Sequence, residues 1–282
     1  MTIHIVTDSA CDVPPDVAAA LGITVVPVFI NIGEHSYLDG VELSRAEFFA
    51  NLTAYPTIPT TAAPASGAFA AIYRQLAAEG ATHIISMHIA ATLSATYNAA
   101  RLGAEEVGDL VPVTLFDTQQ LAMGAGLLVI TAAEAAAAGQ TVDEIVQAAE
   151  ARIARTHVIA VLDTLEFLRR SGRVNWAQFG IGTLLKIKPV VDAHLGTVTM
   201  AARVRTSQRA VAKVLELLTA AAPLERVAVL YTDTRAVAEA LRDQAAHLLP
   251  STAEIILMQI TPAIGAHIGP RAAGFAFISA PR

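Results

Sequence analysis

Residues 84–100 read Ile84-Ile85-Ser86-Met87-His88-Ile89-Ala90-Ala91-Thr92-Leu93-Ser94-Ala95-Thr96-Tyr97-Asn98-Ala99-Ala100. The first part, Ile84–Ile89, is apolar and β-branched enough for a buried strand. From Leu93 onward Ala, Leu and Tyr recur at helical spacing. A strand that turns directly into a helix leaves backbone N–H groups unpaired at the helix start. Those groups and the helix dipole favour an anion there. Thr92, Ser94 and Thr96 surround the same point with hydroxyls, which serve either as helix caps or as ligand donors.

The same rhythm extends on both sides. Ile3–Val6 is a predicted strand ending in Thr7-Asp8-Ser9, and Pro14 or Pro15 starts a helix that stops at Gly22. Ile23–Ile30 reads as one strand buried on both faces, and Asn31–Gly40 as a turn-rich connection. Ser44-x-x-Glu47 is a capping box opening a short helix. Pro56–Gly67 is extended and irregular, and a helix follows to Glu79. Val111–Phe116 is a strand, Gln119–Ala138 an Ala-rich buried helix, and Thr141-x-x-Glu144 a second capping box. Strand and helix alternate throughout, which predicts a parallel sheet with helices on both faces. Ligands of such sheets sit beyond the C-terminal strand ends. Asp8-Ser9, Ser86–Ser94 and Asp117-Thr118 all fall there.

After residue 156 the pattern changes. Val158–Leu162 is a strand and Asp163–Arg170 a short helix running into the basic turn Arg169-Arg170-Ser171-Gly172-Arg173. Ile187–Asp192 and Thr197–Ala201 flank a hairpin turn at Ala193-His194-Leu195-Gly196. Ser207–Ala221 is an amphipathic helix, Val227–Tyr231 a strand, Ala236–Leu248 a helix and Glu254–Gln259 a strand. Thr261–Pro270, with two glycines and two prolines around His267, reads as a tight loop before a last strand, Gly274–Ile278. The expected fold is α/β in two domains. Residues 1–156 form an α/β/α domain with a mainly parallel sheet. Residues 157–282 form an α+β domain with a mixed or antiparallel sheet, and the ligand lies between them.

Composition narrows the function. The chain has 282 residues, 54% hydrophobic and 16% charged, so a large core is expected. The net charge of −6 argues against general nucleic-acid binding. A single cysteine, Cys11, excludes an intramolecular disulfide and a cysteine-based zinc site and fits a reduced cytoplasmic setting. No apolar run is long enough for a membrane helix, and the N-terminus reads as a strand, not a signal peptide. There is no Walker A sequence and no GxGxxG. Among eight histidines, His83 and His88 are scattered along a strand and make no metal-ligand spacing.

Several segments, in order, resemble the DegV family of bacterial lipid-binding proteins. They are Thr7-Asp8-Ser9; Tyr37-Leu38-Asp39-Gly40; Pro59-Thr60-Thr61 with Pro64 and Gly67; and Leu93-Ser94-Ala95-Thr96-Tyr97. Asp117 with Gly124 and Gly126 follows, then Leu162–Leu168 running into Gly172-Arg173-Val174, Lys186-Ile187-Lys188-Pro189, and Ile264–Pro270. The resemblance implies a two-domain protein that binds one long-chain fatty acid between its domains and uses no cofactor. It further implies a lipid-binding accessory subunit, not itself an enzyme. A separate ATP-dependent fatty acid kinase subunit would phosphorylate the presented carboxylate to an acyl phosphate for phospholipid synthesis. Thr61, Ser94 and His267 match the family's carboxylate-binding positions, with the backbone N–H of Ala62 as a further donor. Arg173, with Arg170 beside it, matches a kinase-docking position; the plain alternative is a solvated arginine turn. The expected protein is cytoplasmic, has no nucleic-acid partner and no transmembrane segment, and is compatible with transient membrane contact. The chain departs from the family pattern at Ala62, Ala95, Ala266, Ile268 and Arg271. Two other classes compete: a serine hydrolase using Ser94, His267 and Asp8 or Asp117, and a small-molecule kinase relative.

Overall fold

The computed structural model describes residues 2–174, 187–250 and 255–281. Lys186 and Glu254, named above, lie outside these. Strands β1 (Ile3–Asp8), β2 (Thr24–Val26), β6 (His83–His88) and β7 (Val113–Asp117) form a fully parallel sheet in the order β2-β1-β6-β7. Period-two alternation sends successive side chains to opposite faces. Val6 and Ile84 pack with Phe69, Tyr73 and Ala100 of helices α3 (Ser66–Ala78) and α4 (Thr96–Val107). Ile5, Ile85 and Met87 pack on the other face, with α1 (Pro15–Leu21) and α5 (Ala122–Ala137).

A second sheet has the order β10-β9-β8-β13-β11-β12, built from β8 (Thr156–Val161), β9 (Lys188–His194), β10 (Thr197–Val204), β11 (Leu224–Tyr231), β12 (Ile256–Gln259) and β13 (Ala273–Ser279). It is antiparallel except for the β11–β12 pair. The molecule is thus an α/β protein of two domains, one parallel and one mixed, as expected. Helix α6 (Val142–Ile153) opens on the predicted capping box, with both reciprocal bonds formed between Thr141 and Glu144. Helices α8 (Ser207–Ala221) and α9 (Arg235–Ala245) cover the outer face of the second sheet through Val214, Leu218 and Leu241.

Helix α5 lies between the two sheets, touching β1 on one side and β8, β11 and β13 on the other. Eleven of its sixteen residues are buried, so it shows no polar stripe. Its close approach needs small residues: a Cβ on Gly126 would sit 2.4 Å from the Cys11 carbonyl oxygen, and one on Gly124 2.7 Å from Val158.

Four readings need correction. Ile23–Ile30 is not one strand. Pro27 has no N–H for the ladder, and the chain leaves the parallel sheet there; β3 (Phe29–Ile32) joins a separate antiparallel sheet, β4-β3-β5. The partners are β4 (His35–Leu38), inside the expected turn-rich connection, and β5 (Thr60–Ala62), inside the stretch expected to be irregular. Finally, His267 is not in a loop. Pro262 takes the first position of a helix, where its missing N–H costs nothing, and helix α10 (Pro262–Ile268) runs to Gly269.

Candidate functional site

Between the two sheets lies a cavity of about 560 Å³, within the size range of small-ligand sites. Its walls are mostly apolar. Ile89, Leu121 and Ala122 come from the first half of the chain, Val158, Leu230 and Gly274 from the second. Besides Tyr231 and Thr232 at the end of β11, the polar exceptions gather where β5, the β6–α4 junction and α10 meet. There the cavity is lined by Thr61, Ala62, Ser94 and His267, with Arg173 beside them. The structure therefore brings all four proposed head-group residues and one of the two arginines to one cavity. Helix α7 (Glu166–Ser171) turns Arg170 outward instead, against Glu166 at 3.2 Å.

Each of these residues is placed by its local element. Thr61 pairs with Ile30 in β5, and strand alternation turns its side chain away from those of Thr60 and Ala62. Ser94 sits just before α4. Its Oγ accepts the Thr96 N–H at 3.2 Å and lies 2.8 Å from Thr96 Oγ1. Both readings of Ser94 hold together: it ties down the helix start, and it faces the cavity. Thr92 does something else, donating to the Gly196 carbonyl at 2.6 Å and so joining this junction to the β9–β10 turn. His267, one residue from the end of α10, places Nε2 2.9 Å from Thr61 Oγ1. Burial, and then the nearby Arg173 guanidinium, push His267 down to about 3. Its ring is neutral at pH 7, with one nitrogen donating and one accepting.

The other edge residues serve the frame. Asp8 is fully buried; it accepts the N–H groups of Ala10 at 3.0 Å and Ile89 at 3.1 Å and pairs with His88 Nδ1 at 2.9 Å. His88 Nε2 continues to Ser86 Oγ at 2.7 Å, and Ser86 to the Tyr73 hydroxyl at 2.7 Å. This Asp–His–Ser order has the connectivity of a hydrolase triad, yet all three side chains are sealed in the core, where no substrate reaches. Asp117 accepts from the Ala91 and Gln119 amides and shapes the loop before Ser94. The hydrolase assembly of Ser94, His267 and Asp8 or Asp117 is not formed: His267 bonds Thr61, Ser94 bonds Thr96, and Asp8 bonds His88. Arg271 is committed to Asp163, which also holds Lys188, and does not line the cavity. Of the positions that depart from the family pattern, Ala62, Ala95 and Ile268 line the cavity, whereas Ala266 is buried in the core. Among the described residues, no group of three or more His, Cys, Asp or Glu side chains could hold a metal ion. No described helix is long and apolar enough to cross a membrane.

The DegV family model matches residues 2–280. The chain belongs to the DegV family. A DegV domain-containing protein of Streptomyces coelicolor is 36% identical over 271 residues, 95% of each chain. Two solved DegV structures superpose closely. One, from Thermus thermophilus and described by its fatty acid binding, has a TM-score of 0.90 and 34% identity, covering 99% of this chain and 100% of that one. The other, from Bacillus subtilis and described as a fatty acid binding protein, has a TM-score of 0.89 and 26% identity, with the same coverage.

The sequence did not show the apolar lining of this DegV cavity. The wall residues come from seven or more separate segments, and no period links them. The one trace is the cluster of small residues Ala272, Ala273 and Gly274 at the start of a strand that continues with Phe275, Phe277 and Ile278.

Proposed function

We propose that this chain binds one long-chain fatty acid between its domains, divided near residue 156, and presents the carboxylate to a separate ATP-dependent kinase subunit. The observation that carries this reading is the cavity itself, mostly apolar along its walls, with Thr61, Ser94 and His267 meeting at one end. The fatty acid binding ascribed to the Thermus thermophilus and Bacillus subtilis proteins supports it. The tail supplies the drive: about 15 methylenes at about 0.8 kcal/mol each give roughly 12 kcal/mol gross. Association and ordering take back much of this. The head must then be paired, because a buried carboxylate without donors costs far more than it gains. The two hydroxyls, the Ala62 amide and a neutral imidazole supply donors, and the Arg173 guanidinium beside them adds a fixed positive charge. That matches a head group that passes from carboxylate to acyl phosphate in one place. Arg173, at the polar end, is the better docking residue; Arg170 is already paired on the surface. The setting is the cytoplasm, where both ATP and free fatty acid are found.

A fatty acid and the alcohol of equal chain length separate tail from head. The acid is expected to bind at least about tenfold more tightly, since hydrogen bonds to a charged group are worth about 1.5–3 kcal/mol. Equal affinity would remove the carboxylate from the polar end. With ATP and a kinase subunit, hydroxylamine should trap the acyl group as hydroxamate. Trapping with this chain and ATP alone would overturn the accessory reading.

A further inference from the structure

Helix α10 carries His267 and, through Ala263, Ile264 and Ile268, a panel of the cavity wall. It packs on α7 of its own half of the chain and also on β3, β5 and α2 (Arg45–Asn51) of the first. Gly265 allows this closeness: a Cβ there would meet the Phe49 ring at 2.5 Å. At its N-terminus Thr261 makes no side-chain cap, and its hydroxyl has no partner. The start of α10 lies beside two carboxyls from the other half of the chain instead. Asp12 Oδ1 accepts the Thr261 N–H at 2.7 Å. Asp39 is buried beside Ser9 and Ala263 but hydrogen-bonds neither. Arg45 completes the clasp by donating to the Gln259 carbonyl at 2.5 Å.

Both carboxyls are buried, and three of their four oxygens are unsatisfied: Asp12 Oδ2 and both oxygens of Asp39 have no hydrogen-bond partner. Asp12 is held in a left-handed backbone conformation, φ 59°, that aims it at Thr261. Arg45 is the cation nearest both carboxyls, yet it bonds the Gln259 carbonyl and forms no ion pair with either of them. An arrangement needed only for stability would be better served by apolar packing.

We propose that Asp12 and Asp39 are positioning residues for the head-group site, clasping α10 so that His267 stays against Thr61, and that ionisation of the pair loosens the clasp and speeds ligand exchange. This rests on the fatty-acid reading above. Burial raises Asp39 to about 7 and Asp12 to about 6. A carboxyl raised in the clasped state is proton-bound there and ionised in the released state. The clasp is therefore firmest below the ordinary carboxyl pKa of about 4, weakens as pH climbs to about 7, and is level above that. The other titratable groups facing the pair are Asp8 and Cys11 from the β1 side and Arg45 from α2; on α10 the one such group is His267. Burial drives the Cys11 thiol well up and His267 down to about 3, so both stay neutral between pH 5 and 8.

The test is the dissociation rate of a fluorescent long-chain fatty acid from pH 5.5 to 8, together with hydrogen exchange of the amides of residues 264–268 in ligand-free protein. Dissociation is expected to rise at least about threefold and then level near pH 7.5, and exchange of these amides, corrected for its intrinsic pH dependence, should rise in step. Asp39→Asn, which keeps the shape and removes the charge, should flatten both profiles; Asp12→Asn, whose new residue tolerates the left-handed backbone, should flatten them in part. Unchanged slopes in both variants, or protection of 264–268 that is independent of pH, would overturn the proposal. If no fatty acid binds at all, the functional reading fails, while the exchange profile still decides the clasp.

Discussion

Replacing Thr61 by Val and Ser94 by Ala together is expected to weaken binding of a long-chain fatty acid by roughly a hundredfold or more. Each change removes one hydroxyl facing the polar end of the cavity. A hydrogen bond to a charged group is worth about 1.5–3 kcal/mol, so two amount to about 3–6 kcal/mol if the remaining donors do not rearrange. Val keeps the shape of Thr and favours the strand, so β5 should persist. Ser94 has a second duty, accepting the Thr96 N–H at the start of α4. Its loss should therefore also lower stability by about 1 kcal/mol. The two effects separate by measuring fatty acid affinity by calorimetry and unfolding by urea on the same samples. Undiminished affinity in the double variant would take both hydroxyls out of the site. The His267 ring, freed of Thr61, and the Arg173 guanidinium would then be the side-chain donors left at that end.

The second large effect is on the fold. Gly274→Ala should cost more than about 3 kcal/mol or prevent folding altogether. Gly274 pairs with Ala160 on one side and Leu230 on the other in the middle of the six-stranded sheet. A Cβ there would lie 2.0 Å from the Ile159 carbonyl oxygen and 2.7 Å from the Ala160 Cα. These are backbone atoms of β8, so relief requires moving the strands apart. Both strands also line the cavity, and the pocket would be deformed with them. Gly67→Ala is the matched control. It lies in α3, nothing stands within 4 Å of its added Cβ, and Ala favours a helix over Gly by about 1 kcal/mol. Urea unfolding should find the Gly67 variant equal to or more stable than the parent, and the Gly274 variant far less stable. Comparable stability of the two would show that β13 has slack that its neighbours do not suggest.

What the sequence revealed follows from the range over which each signal acts. Strand-to-helix alternation is local, and it led to the parallel sheet and to the junction holding Ser94. The turn at Leu195–Gly196 and the Thr141–Glu144 box are also local, and both formed where their residues indicated. Where a residue has two local meanings, the reading failed. Pro27 lies inside an apolar run, yet it ends one sheet and sends the chain to another. The Gly and Pro residues around His267 signalled a loop, but Pro262 starts a helix, and Gly265 is there because Phe49 lies against it. His88, dismissed as one of several scattered histidines, is the centre of a buried relay from Asp8 to Tyr73. The apolar cavity wall and the Asp12–Asp39 clasp were invisible for another reason: their members meet only through tertiary packing, and a separation of 249 residues lies between Asp12 and Thr261. The resemblance to the DegV family filled part of this gap by naming Thr61, Ser94 and His267, which the structure gathers at one cavity.

The central claim is that the cavity holds a fatty acid, and mass spectrometry of the purified protein tests it most directly. Native spectra should show a mass added at about one long-chain fatty acid per chain, lost on denaturation and recovered in the solvent extract. Protein that is purified empty and takes up no added fatty acid would contradict the account.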